Sequence, residues 1–233
     1  MKDLDCWETK FEPCYYSDRL VTKLLLLNER RKQKVDILEI KKAIFYAKKY
    51  HGSQMRKSGE PYYSHPFEVA YRVAYYIFET NILVTSILHD TIEDTIFTKN
   101  MISIIFGSLV ANQVDDLTRV KKATKITSAE IVISLFFQKK NSSLLIKLFD
   151  RLHNMQTITA KSPEKIKAIT EETIETFIML SLYLEKISVE IELKKLCLQA
   201  IFNKSYDFNN ENSLFNGTFQ LPFLSLQNEK FLN

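Results

Sequence analysis

Apolar residues along this chain recur three and four apart, the spacing of one face of an α-helix, and the pattern becomes regular from Asp36 onward. Ile37, Ile40, Ile44, Ala47 and His51 fall on one stripe, with Gly52 standing where a C-terminal cap belongs. The stretch 54–64 breaks the period with Gly59 and Pro61 and reads as a loop. A second helix is predicted over about 66–78, with Pro66 in its first turn and His65 at its mouth. Thr80 or Asn81 caps a third, running to about Asp94. Shorter helices follow over 98–106 and 108–120, separated by Gly107, then longer ones over 128–139, 143–158, 163–187 and 189–203. Residues 1–35 hold only one short helix, around 18–29, and read as a lead-in arm. Residues 36–203 read as one helical domain, and the Asn-rich residues 204–233 as a loosely held tail.

Composition narrows the picture. With 233 residues and 45% hydrophobic content, the chain supports one sizeable core. Four Gly and five Pro leave few tight turns for a many-stranded fold, so the expected class is all-α. A formal charge of +4, diluted by interleaved acids, falls short of a nucleic-acid-binding patch. Three cysteines without metal spacing argue against a disulfide framework and for a reducing cytoplasm. The N-terminus does not read as a signal peptide, and the apolar run Leu24–Leu27 is far shorter than the ~20 residues of a membrane span.

The chain has four histidines, and three lie beside features that make chemical sense together. His65 opens a helix, His89 precedes Asp90 directly, and His153 lies three residues after Asp150. On one continuous helix His89 would share a face with Glu93, and Asp90 with Asp94. The helix holding Asp150 is apolar nearly all round, through Leu144, Leu145, Ile146, Leu148, Phe149 and Leu152, and is therefore expected to be buried. A carboxylate there must be paired, either with Arg151 or a distant Lys, or with a metal ion. His65, His89, Asp90 and Asp150 together form a mixed nitrogen and oxygen set that suits one octahedral Mn²⁺ or Fe²⁺ better than structural zinc. Glu93 and Asp94 are then placed to handle the proton of an attacking water. His51 is expected as a satisfied core histidine, and His153 as a ring that orients the site through a backbone or carboxylate partner.

Three ordered blocks carry a family resemblance: Gln54-Met-Arg-Lys-Ser-Gly-Glu-Pro-Tyr-Tyr-Ser-His-Pro66, Ile87-Leu-His-Asp-Thr-Ile-Glu-Asp-Thr95 and Leu145-Ile-Lys-Leu-Phe-Asp-Arg-Leu-His-Asn-Met155. In order and spacing they resemble the signatures of the HD-type hydrolase domain of the Rel/Spo alarmone enzymes, over about residues 36–190. That resemblance implies a single HD-domain helical bundle with extra C-terminal helices. It implies His65, His89, Asp90 and Asp150 as ligands of one Mn²⁺, with Glu93 and Asp94 as the acid pair. It places Arg56 and Lys57 beside the guanine, Ser58 at the base edge and Asn154 toward the ribose or phosphate. The implied reaction removes the 3′-pyrophosphate from guanosine tetra- or pentaphosphate, and the implied form is a hydrolase-only enzyme or a fragment. Two departures stand out: Gln156 replaces the usual Arg, and Phe177–Glu192 lacks the Pro, His and Gly commonly found there.

Two other readings remain open on the sequence. The same metal site could act on another phosphorylated nucleotide such as NADPH, or the chain could be a degenerate module that binds alarmone without turnover. The oligomeric state is not readable from the sequence.

Overall fold

The computed structural model describes residues 6–118, 120–121 and 124–202, in two compact units that divide between Asn154 and Met155. The division falls inside the span 36–203 expected as one domain, and the expected tail lies outside the described residues. Both units are built of helices. The only extended pairing among the described residues is a two-residue antiparallel ladder, β1 (Val120–Lys121) with β2 (Thr124–Lys125), beside an isolated bridge between Met55 and Pro61. No described helix is long and apolar enough to cross a membrane.

The first unit begins with a short 3-10 turn and helix α1 (Tyr15–Arg30). The lead-in arm expected at residues 1–35 thus carries a 16-residue helix that packs on α2 and α3, with Leu20 and Leu24 fully buried. The short helix expected around 18–29 thus runs from Tyr15 to Arg30 and belongs to the core, where even Lys23 is buried. Helix α2 (Ile37–His51) starts as its residues dictate: the Asp36 carboxylate accepts from the backbone N–H groups of Leu38 and Glu39. Gly52 ends it at φ 52°, a left-handed conformation that side-chain-bearing residues avoid.

Helix α3 (Ser64–Val73) and helix α4 (Thr80–Leu88) form the centre of this unit, α4 packing against α2, α3 and α6. Every residue of α4 from Ile82 to Leu88 is buried, so the helix is apolar on all sides and serves as the core pillar. The helix expected to continue to Asp94 stops at Leu88, and a separate single turn, α5 (Thr91–Asp94), follows. Side chains end it: the Ser86 carbonyl accepts from His89 Nδ1 at 2.8 Å, and the Leu88 carbonyl accepts from Thr91 Oγ1 at 2.7 Å. Acceptors that would have continued the helical ladder are thus occupied.

Helix α6 (Lys99–Leu117) bends at Gly107, whose φ of 87° separates the two helical stretches expected on either side of it. Helix α7 (Ser128–Phe137) opens with a reciprocal cap between Thr127 and Glu130, and α8 (Asn141–Gln156) belongs to the first unit as far as Asn154. The second unit consists of α9 (Pro163–Glu172), a π-helical turn at Thr173–Phe177, α10 (Ile178–Tyr183) and α11 (Ile187–Phe202). The uniform α-helix expected over 163–187 is interrupted where Thr173 Oγ1 donates to the Ile169 carbonyl at 2.6 Å.

Because Leu24 is 0% exposed, Leu24→Ala should destabilise the protein by about 2–5 kcal/mol. Urea denaturation checks this, and an effect under 1 kcal/mol would show that α1 is not part of the cooperative core.

Candidate metal centre

Asp150 is 7% exposed, and each of its oxygens is engaged. Oδ2 accepts from Lys147 Nζ at 2.6 Å, one turn earlier on α8, while Oδ1 accepts from Asn154 Nδ2 at 2.6 Å and lies 3.2 Å from His65 Nε2. The pairing partner is therefore Lys147, not Arg151. Burial pushes the Asp150 carboxyl up, but the Lys147 ammonium and the His65 hydrogen bond outweigh it and hold the group well below the usual carboxylate range.

His65, in the first turn of α3, and His89, at the end of α4, converge on Asp150. These three residues each offer a ligand atom, and the three atoms lie within 4.8 Å of one another. Asp90 completes the group, with Oδ1 3.1 Å from His89 Nε2 and Oδ2 3.4 Å from His65 Nε2. Burial raises the Asp90 carboxyl, yet the two imidazoles beside it carry it below its ordinary value. All four residues expected as ligands are therefore brought together from three separate stretches of chain.

The state of His89 bears on what the cluster holds. Its Nδ1–H donates to the Ser86 carbonyl at 2.8 Å, which turns Nε2 toward the cluster. That nitrogen is buried and has no hydrogen-bond partner, although the Asp90 carboxylate stands 3.1 Å away. A cation held between this nitrogen and the carboxylate would satisfy both. Two imidazole nitrogens and two carboxylates, with no thiolate, match a hard or borderline divalent ion.

His153 lies against the other side of His65, with the two Nδ1 atoms 2.8 Å apart. Its Nδ1 thus pairs with a ring nitrogen of His65. Burial, followed by His65, Arg56 and Arg72, pushes its pKa down to about 3, so the ring is neutral and shares one proton with His65. Depending on which ring holds that proton, His65 Nε2 is bare or protonated.

The acid pair sits on α5. Asp94 is half-buried; its Oδ2 accepts from Tyr62 Oη at 2.6 Å and its backbone carbonyl from Gln54 Nε2 at 2.9 Å. Burial, then the Asp90 charge, raises the Asp94 carboxyl above its ordinary value. Burial also raises the Tyr62 phenol, which stays protonated and able to donate. Glu93 occupies the same turn and is partly exposed. His51 proves only half satisfied: Nδ1 donates to Gln54 Oε1 at 2.9 Å, while its buried Nε2 has no partner among the described residues.

Arg56, Lys57 and Ser58 occupy a tight turn closed by Arg56 N–H to the Glu60 carbonyl at 2.8 Å, with Gly59 at φ 89°. Arg56 Nη2 donates to Asn154 Oδ1 at 3.3 Å, which joins this turn to Asp150 through Asn154. Lys57 and Ser58 are exposed. Gln156, in the second unit, donates to Glu192 of the same unit, so the two departures from the family pattern meet in one hydrogen bond. The sequence reading missed Lys147, Tyr62 and Gln54. Tyr62 and Gln54 lay inside the first quoted block and Lys147 inside the third, but nothing in their spacing marks which acid each would touch.

A helical fold whose paired His-Asp and distant His and Asp converge in its interior defines the metal-dependent HD class. The HD domain model matches residues 43–182, and the chain belongs to that family. Its sequence is 38% identical over 175 residues to a GTP pyrophosphokinase of Myxococcus xanthus, a match spanning 71% of this chain and 23% of that protein. It is 35% identical over 172 residues to the guanosine-3′,5′-bis(diphosphate) 3′-pyrophosphohydrolase of Aquifex aeolicus, spanning 72% of this chain and 25% of the relative. The chain thus spans about a quarter of the length of these curated relatives. A solved structure described as a metazoan ortholog of SpoT that hydrolyses ppGpp shares the fold, with TM-score 0.53 and 21% identity over 69% of this chain and 94% of that one.

Lys147→Met removes the ammonium from a buried carboxylate and should destabilise the metal-free protein by about 3 kcal/mol. Added divalent cation should recover part of that loss, as a rise in melting temperature larger than the rise seen in the unmodified protein.

Proposed function

We propose that this chain is a guanosine polyphosphate 3′-pyrophosphohydrolase, converting guanosine tetra- or pentaphosphate to GDP or GTP and pyrophosphate. The observation that carries the reading is the buried, unpartnered Nε2 of His89 facing Asp90, in a cluster where His65 and Asp150 lie within 4.8 Å. The names of the relatives supply the substrate class. In this reading His65, His89, Asp90 and Asp150 hold one Mn²⁺. When bound, such an ion lowers the pKa of water and withdraws charge from a phosphoryl oxygen under attack.

The protein's own groups do the remaining work. Asp94, its carboxylate fixed by Tyr62 and its peptide by Gln54, accepts the proton of the attacking water at Oδ1, the oxygen not engaged by the phenol. Its raised pKa suits it to that task near neutral pH. Glu93, on the same turn, stands by for the leaving pyrophosphate. Lys147 keeps Asp150 ionised, and the Ser86 carbonyl holds His89 Nδ1 so that Nε2 faces the cluster. Arg56, steadied by Asn154, offers a planar cation to the purine face, with Lys57 and Ser58 at the rim. The setting fits the cytoplasm, where Cys6, Cys14 and Cys197 remain free thiols.

Mn²⁺-dependent release of pyrophosphate from guanosine tetraphosphate, with the product nucleotide identified, tests the proposal. NADPH run in parallel should yield far less product; the reverse order would transfer the assignment to that nucleotide. Asp94→Asn should lower kcat by about 10²- to 10⁴-fold with Mn²⁺ affinity unchanged. Tyr62→Phe should lower kcat by roughly tenfold with KM little altered, since one hydrogen bond to a charged group is lost. A protein that binds the nucleotide but gives no Mn²⁺-dependent product would be a binding module and not an enzyme.

A further inference from the structure

A second feature lies away from the histidine cluster, where α1 crosses α3. The two helices enclose a groove of about 600 Å³, lined by Arg19, Lys23 and Arg30 together with Tyr15, Tyr71 and Tyr75. This is the size of a small-molecule site. Nothing in the proposed hydrolysis uses these residues.

Lys23 is the residue that needs explaining. It is 8% exposed, yet no carboxylate lies within ion-pair distance of it among the described residues. Its ammonium donates to the Tyr71 carbonyl at 2.5 Å and lies 3.6 Å from the centre of the Tyr71 ring and 2.9 Å from that of Tyr75. The nearby acid, Glu68, is already shared between Arg19 and Arg72. Asp18 is the one acid among the lining residues, against Arg19, Lys23 and Arg30, so the groove carries net positive charge. Burial, opposed only partly by Glu68, lowers the Lys23 pKa to about 7, which marks the ammonium as undercompensated. An anion in the groove would supply the missing counter-charge.

The remaining lining specifies what else the ligand should carry. Tyr15 and Tyr75 are 74% and 56% exposed, and although Lys23 covers one face of Tyr75, exposed ring surface remains on both for stacking. Arg19 already rests on the Tyr71 ring, 4.2 Å from its centroid, and Arg30 sits one helical turn beyond Leu26 and Leu27 on the same wall. Cations at the floor and flat rings at the rim fit a ligand with phosphate at one end and an aromatic base at the other. We propose that this groove is a second ligand site, which takes a nucleoside di- or polyphosphate with its phosphates against Lys23 and Arg19 and its base on Tyr15 and Tyr75.

Helix α3 connects the groove with the proposed metal centre. His65 lies in its first turn and Tyr71 six residues on, roughly 9 Å along the axis. A ligand in the groove therefore bears on the element that positions His65.

The test uses the full chain stripped of divalent metal, titrated by calorimetry with GDP and, separately, with inorganic pyrophosphate. GDP should bind at one site that survives Asp90→Ala, is weakened at least tenfold by Lys23→Met, and is weakened for GDP but not for pyrophosphate by the exposed-site change Tyr75→Ala. A heteronuclear NMR signal from the Lys23 side chain should move on GDP addition. Lys23→Met could disturb α1, so Arg19→Gln, at a largely exposed position, serves as a second probe and should also weaken both ligands. No GDP binding at millimolar concentration, or binding unchanged in all three groove variants, overturns the proposal. Loss of binding in Asp90→Ala alone also overturns it, because the nucleotide would then occupy the histidine cluster. Equal affinity for pyrophosphate and GDP removes the base-stacking half and with it the assignment to nucleotides. None of these outcomes depends on whether the chain hydrolyses guanosine tetraphosphate.

Discussion

A carboxylate inside a helical bundle must be matched by positive charge or by hydrogen-bond donors, and Asp150 imposes this requirement on three elements at once. Lys147 answers it from the preceding turn of α8, Asn154 from the following one, and His65 from the start of α3. The last contact fixes the first turn of α3 relative to α8. From there the geometry propagates, because His65 also meets Asp90 and His153, and Asp90 meets His89 at the end of the core pillar α4. The arrangement would be expensive as a purely structural device, since a well-packed apolar substitute would serve as well. Its persistence in the deepest part of the unit is intelligible as the housing of a cation.

Much of this was legible in the amino-acid order. The helical spacing from Asp36 onward locates α2, α3 and α8 closely, since each buries one stripe or its whole circumference and the apolar residues record that directly. The four converging side chains were readable because His and Asp are rare in such apolar surroundings. What escaped were features set by a side chain's local choice of hydrogen bond. Spacing alone extends the third helix through Asp94, yet His89 and Thr91 capture the carbonyls of Ser86 and Leu88 and break it. The break matters, because Glu93 and Asp94 are no longer stacked over His89 and Asp90 on one helical face. They are carried on a separate turn, where Asp94 is oriented by Tyr62 and Gln54, both from the segment before α3.

The first helix was foreseen around 18–29, but its packing into the core was not, for a related reason. Sequence periodicity treats a lysine as polar and therefore exposed, but Lys23 is buried, its ammonium against two tyrosine rings and a carbonyl. Rings and a carbonyl offer a cation partial negative charge without a formal counter-ion, a solution that leaves no acidic residue at a telling interval. The same substitution of dipoles for charges separates this groove from the histidine cluster, where formal charges of both signs are present.

His153 has a consequence of its own. A ring held uncharged down to about pH 3, placed Nδ1 to Nδ1 against His65, clamps that imidazole from behind and so fixes the direction in which its other nitrogen faces Asp150.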